Sequence, residues 1–280
     1  MSDRVFILGA GRAGRGLSRA LRASGVAVVG LHGRRANGGA EKITAGPLPD
    51  AVRRAKVVIV AVRDSQLGDA LRELESAGLA TGAVVLHASG SAEPPELDAL
   101  RRAGHPAGTF HPLVPIADPA RAAELFRGAF VGLDGDANAI AAGERLAGAL
   151  GARTLRIPRG EKAAYHAAAV IASNFPTVLA ALAARLLVGL GVGEGDAWDA
   201  IRALMRGAVA NLDSDTPARA LTGPIARGDA DTVRRHLAAL GEQPEMLALY
   251  RGLSRIALEI ARDGGTSEDA LETIDEMLKR

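Results

Sequence analysis

Hydrophobic positions in the first half of the chain fall into short continuous runs, separated by stretches with the spacing of amphipathic helices. The apolar runs lie at residues 5–8, 25–31, 56–62, 83–87 and 129–133, and two mixed segments, residues 108–110 and 153–157, are also expected to belong to strands. Continuous apolar runs of this length are typical of parallel strands in a sheet that helices cover on both faces. Because strands and helices alternate, the pattern predicts an α/β fold with a doubly wound sheet.

From Gly160 onward the strand pattern disappears and the spacing becomes helical. Residues 161–190 form one long helical segment, which Pro176 is expected to kink. Further helices are predicted at residues 196–211, 229–240, 244–262 and 268–279. The chain therefore divides, in this prediction, into an α/β domain at residues 1–157 and an all-α domain at residues 158–280.

The turn after the first strand carries the strongest chemical signal. It ends a buried strand and opens a helix, and its sequence is Gly9-Ala10-Gly11-Arg12-Ala13-Gly14. In that context the first glycine permits a tight turn, the second lets the backbone approach a pyrophosphate, and the third lets the helix pack closely on the strand. The pattern predicts a Rossmann dinucleotide site formed by these six residues. A glycine-rich turn in an ordinary α/β protein is the alternative.

The end of the second strand indicates which dinucleotide binds. Sites that prefer NAD(H) place an acidic residue there to bind the ribose 2′-hydroxyl. This chain instead has His32-Gly33-Arg34-Arg35, and no carboxylate before Glu41. Guanidinium groups suit a 2′-phosphate, so we predict NADP(H), with Val62 at the end of a later strand beside the nicotinamide half. Solvated loop charges are the alternative for the two arginines.

Composition narrows the function classes. The chain of 280 residues is 48% hydrophobic and has no cysteine, which excludes disulfides, thiolate metal sites and a cysteine nucleophile. The net charge is +2, with basic and acidic residues interleaved, which disfavours nucleic-acid binding and fits an anionic cofactor and substrate. No signal peptide, membrane-spanning run or metal-ligand spacing is evident, so we expect a cytoplasmic protein without a metal or a membrane partner.

One face of the long helix combines polar groups with an apolar background. Lys162, His166 and Asn174 are separated by multiples of four residues and share that face, with Ser173 and Tyr165 beside it. Polar groups in so apolar a segment are costly to bury, so we expect the face to line a cleft between the domains. Lys162 is the first candidate for a proton donor and His166 the rival. The alternative is a lysine that reaches to water and structural hydrogen bonds.

Two loops after strands are expected at the same site, because ligands bind at the carboxyl ends of parallel strands. Ser89 lies in the loop at residues 87–91 and His111 in the loop at residues 111–113. Ser89 is a candidate for binding a substrate carboxylate, and His111 for acid–base chemistry or an anion contact. Turn chemistry for the serine and a buried structural role for the histidine are the alternatives.

Taken together, these motifs and the segment Leu221 to Asp229 resemble Rossmann-like proteins with the C-terminal domain of unknown function 2520. That family is similar to 6-phosphogluconate dehydrogenase-type and ketopantoate reductase-type enzymes. The resemblance implies substrate-binding and proton-donating roles for Lys162 and Asn174, and a substrate anion contact for Arg227. The chain departs from ketopantoate reductases at His166, where they carry asparagine.

The sequence therefore predicts an NADP(H)-dependent oxidoreductase that transfers hydride to or from a small carbonyl, hydroxy-acid or imine substrate. A non-catalytic NADP(H)-binding regulator or scaffold is the alternative. The apolar, alanine-rich helices predict a homodimer. The sequence leaves the substrate and the direction of the reaction open.

Overall fold

A computed structural model describes residues 3–38 and 41–279. Within these ranges eight strands form one sheet in the order β3-β2-β1-β4-β5-β6-β7-β8. The strands are β1 (Arg4–Leu8), β2 (Ala27–His32), β3 (Ile43–Thr44), β4 (Val57–Val60), β5 (Val84–His87), β6 (Ala107–Pro112), β7 (Phe130–Gly135) and β8 (Arg153–Arg156). Neighbouring strands are parallel except β6 and β7, so β1, β2, β4, β5 and β6 end at one edge.

Helices cover both faces of this sheet. They are α1 (Arg12–Ala23), α2 (Leu67–Glu75), α3 (Glu96–Arg102), α4 (Ala122–Leu125) and α5 (Ala137–Ala149). Strand β1 shows why its sequence is apolar throughout: Val5 and Ile7 pack in the cluster with α1 and α5, whereas Phe6 and Leu8 pack in the cluster with α2 and α3. Alternate side chains of a strand point to opposite faces, so both faces need apolar residues. The predicted α/β fold is confirmed.

The remaining elements are helical, as predicted. They are α6 (Lys162–Gly189), α7 (Glu194–Ser214), α8 (Pro217–Ala220), α9 (Ala230–Ala239), α10 (Pro244–Asp263) and α11 (Glu268–Lys279). Two apolar clusters hold them: Ala180 and Ala184 of α6 pack with Ile201 of α7, and Val233 and Leu258 belong to the cluster formed by α9, α10 and α11.

The chain forms two compact units, Met1–Asn174 and Phe175–Arg280. The change from strand to helix comes after β8, close to the predicted boundary between residues 157 and 158. The units divide later, because the first turns of α6 contact the sheet through Lys162 and Tyr165. The boundary as a division of function stays a prediction.

Helix α6 is long and apolar enough, by length and composition, to cross a membrane, and 11% of its apolar window is buried. The expectation that no segment of the chain has this character was wrong, because no charged residue interrupts residues 167–184. A helix at a protein–protein contact meets the same criteria, so one such helix is weak evidence for a membrane.

Candidate functional site

The glycine turn between β1 and α1 is built so that backbone can lie against backbone. Gly9 has φ +118°, and a Cβ atom there would lie 2.3 Å from the carbonyl oxygen of Ala61. A Cβ atom on Gly14 would lie 1.8 Å from the carbonyl oxygen of Gly9, whereas one on Gly11 would meet nothing within 4 Å. The first two positions therefore require glycine, and Gly11 leaves open space at the start of α1, where backbone N–H groups favour an anion.

A cavity of about 930 Å³ lies beside this turn. Of the residues predicted to bind the cofactor, the following line it: Gly9, Ala10, Gly11, His32, Gly33, Arg34, Arg35 and Val62. The other three, Arg12, Ala13 and Gly14, form the first turn of α1. The glycine turn, the segment after β2 and Val62 after β4 were predicted separately to bind the cofactor, and they surround one cavity. The exposed side chains of Arg34 and Arg35 lie along it.

His32, at the end of β2, is buried beside the cavity. The residue is 5% exposed, with Nδ1 2.9 Å from the Thr44 hydroxyl and Nε2 3.1 Å from the carbonyl oxygen of Gly46. Both ring nitrogens therefore have protein partners, and the ring connects β2 to the residues that follow it. The role of His32 in binding the cofactor stays a prediction.

Glu41, the first carboxylate after β2, turns towards α1. It forms ion pairs with Arg15 and Arg19, and its side chain is 13% exposed. Burial raises the pKa of this carboxyl, but the hydrogen bonds from Arg19 and Arg15 outweigh that effect and lower it. Glu41 is therefore ionised, and Arg15 and Arg19 compensate its negative charge. A phosphate in the cavity would thus meet little repulsion from this carboxylate.

A second cluster lies where β5 and β6 end and α6 begins. Lys162 is 2% exposed; its Nζ donates to the carbonyl oxygen of Ala92 at 2.9 Å and lies 3.3 Å from His87 Nε2 and 3.9 Å from an Asp134 carboxylate oxygen. Burial lowers the pKa of Lys162, while Asp134 opposes that shift. Lys162 is buried inside the first unit and does not reach to water. The expectation that its helix face lines a cleft between the domains stays a prediction.

His87 lies beneath Lys162 and is fully buried. Its Nε2 is also 3.2 Å from the Thr109 hydroxyl, whereas Nδ1 has no hydrogen-bond partner among the described residues. Burial, helped by the charge of Lys162, lowers the pKa of His87 to about 3. The His87 imidazole is therefore neutral, and its Nε2 can accept a hydrogen bond from the ammonium group of Lys162.

The third group consists of His111, Tyr165 and His166. His111 Nδ1 lies 2.8 Å from the Tyr165 hydroxyl, and its ring centroid is 5.5 Å from that of His166. Burial and then the neighbouring His166 lower the pKa of His111 to about 4. His166 Nδ1 is buried without a partner among the described residues. His111 and His166, predicted from separate motifs, are thus in contact.

The other predicted substrate residues are placed less favourably. The Ser89 hydroxyl accepts hydrogen bonds from the backbone N–H groups of Ser91 and Ala92, which is turn chemistry. Ser173 is exposed and donates to the carbonyl oxygen of Ala169 at 2.7 Å and to Asn174 Oδ1 at 2.8 Å. Asn174 is exposed at the end of the first unit, and Arg227 is exposed in the second. Their roles stay predictions.

Sequence reasoning assigned no role to four residues of these two groups: Tyr165, His87, Gly90 and Gly132. Tyr165 carried a signal, since it lies three residues after Lys162 on the same helix. His87 carried a weaker one, as a polar residue ending a buried strand. Gly90 and Gly132 carried none, because their importance comes from what lies against them: a Cβ atom on Gly132 would be 2.2 Å from the Tyr165 hydroxyl.

Comparisons with known proteins agree with this geometry. Residues 4–89 match the family described as NADP oxidoreductase, coenzyme F420-dependent, and residues 129–257 match the domain of unknown function DUF2520. Among curated proteins none matches the chain.

Solved structures share the fold over nearly the whole chain. A protein from Bacteroides fragilis, named as a candidate NADP oxidoreductase, is 24% identical with a TM-score of 0.73, over 92% of this chain and 98% of its own. A protein from Thermotoga maritima is 26% identical with a TM-score of 0.72, over the same shares, 92% and 98%. The pyrroline carboxylate reductase of Plasmodium falciparum, solved with NADP bound, is 10% identical with a TM-score of 0.62, over 98% of each chain. The chain has a Rossmann-like NADP reductase fold.

In this reductase fold the glycine turn and the cavity correspond to what the sequence predicts for a dinucleotide. The predicted resemblance to proteins with domain 2520 is confirmed. The more distant relation to 6-phosphogluconate dehydrogenase and ketopantoate reductase stays a prediction.

Proposed function

We propose that the protein is an NADP(H)-dependent oxidoreductase acting by hydride transfer on a small, anionic carbonyl, hydroxy-acid or imine substrate. The observation that carries the proposal is the cavity in which the Gly9 turn, Arg34, Arg35 and Val62 meet. Gly11 leaves backbone N–H groups uncovered for a pyrophosphate, and the two guanidinium groups fit a 2′-phosphate. When bound, NADPH would supply the hydride.

The chain's own residues would bind and orient the substrate and move one proton. The clustered His111 and His166 are the groups best placed to do so, since Lys162 is committed to Ala92 and His87. In this proposal Lys162 holds the loop after β5 on α6, and its charge favours an anionic substrate nearby. Asn174, Ser173 and Arg227 remain proposed substrate contacts.

A non-catalytic NADP(H)-binding regulator or scaffold is the second candidate. The observation that favours it is the burial of Lys162, the first candidate for a proton donor. NADPH binding without NADPH consumption across a broad panel of oxo acids and cyclic imines would support this candidate.

The cofactor proposal is tested by changing Arg34 and Arg35 together to glutamine. Loss of two phosphate contacts should raise the Kd for NADPH by roughly 10- to 100-fold while the Kd for NADH changes little. Cofactor fluorescence measures both values. Arg206→Gln, which removes an exposed charge from α7, is the control. Equal weakening of NADPH and NADH would contradict the assignment of the two arginines to the 2′-phosphate.

We also propose that the protein is a cytoplasmic homodimer. Large apolar side chains are exposed on α6 and α7, among them Ile171 at 61%, Val178 at 51% and Leu204 at 70%. A second copy of the chain would cover them, and a patch of this kind is uncommon on a monomer.

A further inference from the structure

Two ring nitrogens converge on the Gly90 turn. A Cβ atom on Gly90 would lie 2.6 Å from His166 Nδ1 and 2.7 Å from His111 Nε2. The two rings are set edge to face, with an interplanar angle of 74°. Because Gly90 carries no side chain, both nitrogens approach the backbone of this turn closely.

The Tyr165 hydroxyl determines which nitrogen of His111 carries hydrogen. Burial raises the pKa of the Tyr165 hydroxyl well above its usual value, so the hydroxyl keeps its proton. Among residues 3–38 and 41–279 this hydroxyl makes no hydrogen bond except that to His111 Nδ1. Donation from Tyr165 to Nδ1 therefore satisfies both groups, and a neutral imidazole then carries its hydrogen on Nε2, which faces Gly90.

The space for this tyrosine comes from the strand register. His111 of β6 is paired with Gly132 of β7. A side chain at position 132 would collide with the Tyr165 hydroxyl, at 2.2 Å. The fold thus reserves a place for the hydroxyl beside the His111 ring.

His166 supplies the complementary nitrogen. Its Nδ1 is buried and has no partner among the described residues, which is costly unless a ligand provides one. His111 Nε2 carries a hydrogen that it can donate, and His166 Nδ1 can give or take a proton. One substrate oxygen atom fits both, because it would accept a hydrogen bond from His111 and exchange a proton with His166.

We propose that His111 and His166 bind the reacting oxygen of a carbonyl or secondary alcohol substrate, and that Tyr165 is a positioning residue that fixes the tautomer of His111. This inference rests on the proposed function and narrows its substrate class to oxygen compounds. His111 polarises the carbonyl as a neutral hydrogen-bond donor, and His166 exchanges the proton.

The step balances as follows. When bound, NADPH would supply the hydride that forms the new C–H bond as the carbonyl π bond breaks, and would leave as NADP⁺. His166 Nδ1 would give its proton to the oxygen, so the other products would be the alcohol and neutral His166. In the oxidative direction His166 Nδ1 accepts the hydroxyl proton.

An imine does not fit this pair. The protonated imine that accepts hydride has an N–H group and no lone pair on nitrogen. The N–H group of this imine and the N–H group at His111 Nε2 are both donors, so they cannot form a hydrogen bond with each other.

The charge state of His111 supports the assignment. The groups that act on it are His166, Lys162 and Asp64, together with the bonded Tyr165. Asp64 raises the pKa of His111, but burial and His166 outweigh it and bring the value to about 4. His111 therefore stays neutral at neutral pH and donates without being an acid.

The tautomer is tested without any substrate. Side-chain ¹H–¹⁵N spectra of the full chain saturated with NADP⁺ should show His111 protonated on Nε2 and not titrating between about pH 5.5 and about pH 8.5. The signal is assigned with His111→Gln. In Tyr165→Phe the two tautomers of His111 should both be populated, an effect that a purely structural tyrosine would not produce. A hydrogen on Nδ1, or titration within that range, overturns the proposal.

The substrate class is tested by NADPH consumption with glyoxylate and pyruvate, against Δ1-pyrroline-5-carboxylate. We expect turnover of an oxo acid, and Gly90→Ala should lower its kcat/KM by about 100-fold while the Kd for NADPH changes less than about 2-fold. Gly148→Ala, where a Cβ atom meets nothing within 4 Å, is the matched control. Reduction of the imine alone would overturn this inference and leave the proposed function standing. Absence of NADPH binding would instead defeat the proposed function.

Discussion

His87 and His111 are histidines whose pKa values lie well below the usual 6.5, at about 3 and about 4. Burial is the main cause in both, because a low-dielectric surrounding disfavours the charged ring. Both rings are therefore neutral at neutral pH, which lets His87 accept from Lys162 and lets His111 act as a donor. The same burial makes the fold sensitive to acid.

The acid sensitivity of His87 has a definite sign. Its pKa in the folded protein is depressed, so the unfolded chain takes up a proton below about pH 6.5 and the folded protein does not until about pH 3. Stability should be complete above about pH 6.5 and fall with pH. His87→Asn should remove about 2 kcal/mol from the difference in unfolding free energy between about pH 7.5 and about pH 5.

Urea unfolding at the two pH values measures this difference. His236→Asn, which replaces an exposed histidine of α9, is the control. An unchanged pH dependence in His87→Asn would show that the protonation of this ring is not coupled to folding.

At the scale of elements, the β1–turn–α1 unit combines the proposed cofactor-binding role with close packing. Gly9 lies against β4 through Ala61, and Gly14 of α1 lies against Gly9. The helix N-terminus can therefore face a phosphate only if α1 approaches the turn to backbone distance. The packing of α1 on the turn and the proposed anion site at the N-terminus of α1 therefore both depend on Gly14.

Gly14→Ala is therefore expected to lower both the stability of the protein and its affinity for NADPH. A methyl group there would lie 1.8 Å from the carbonyl oxygen of Gly9, so α1 must move away from the turn. We expect a loss of about 2–3 kcal/mol in unfolding free energy, together with weaker NADPH binding. Gly207→Ala, in the middle of α7 with nothing within 4 Å, should be neutral or slightly stabilising. Chemical denaturation and cofactor titration measure the two effects, and unchanged values for Gly14→Ala would refute the close approach.

At the scale of the whole molecule, the exposed apolar side chains of α6 and α7 need a cover. On α7 they include Leu204 at 70%, Val209 at 58% and Leu212 at 55% exposure. Exposed apolar area of this extent favours association, and a second copy or a membrane would each provide a cover. Lys162 and His166, near the start of α6, pack inside the first unit, which argues for a second copy.

Leu204→Lys combined with Leu212→Lys should convert a dimer into a monomer, because each ammonium group would be buried unpaired at the interface. Light scattering measures the mass, and Ser214→Lys, at an exposed polar position of α7, is the control. A monomeric unmodified protein would contradict the homodimer. Co-sedimentation with phosphatidylcholine vesicles would indicate the membrane alternative.

The sequence alone determined the elements and the cofactor loop, because these depend on short-range features. Apolar runs marked five of the eight strands of the described sheet, mixed segments marked β6 and β8, and the two-residue β3 was not predicted. The glycine spacing placed the turn between β1 and α1, and the missing carboxylate after β2 indicated NADP(H).

Only the tertiary structure decided which polar groups meet. Helical spacing showed that Lys162 and His166 share a face, but not that Lys162 is buried against His87 while His166 reaches Gly90. His111 and Tyr165 are 54 residues apart, and Gly132 makes room for their hydrogen bond from a third element. Such contacts depend on strand order and register, which no local pattern encodes, so the motifs indicated the cofactor while the packing determined the candidate chemistry.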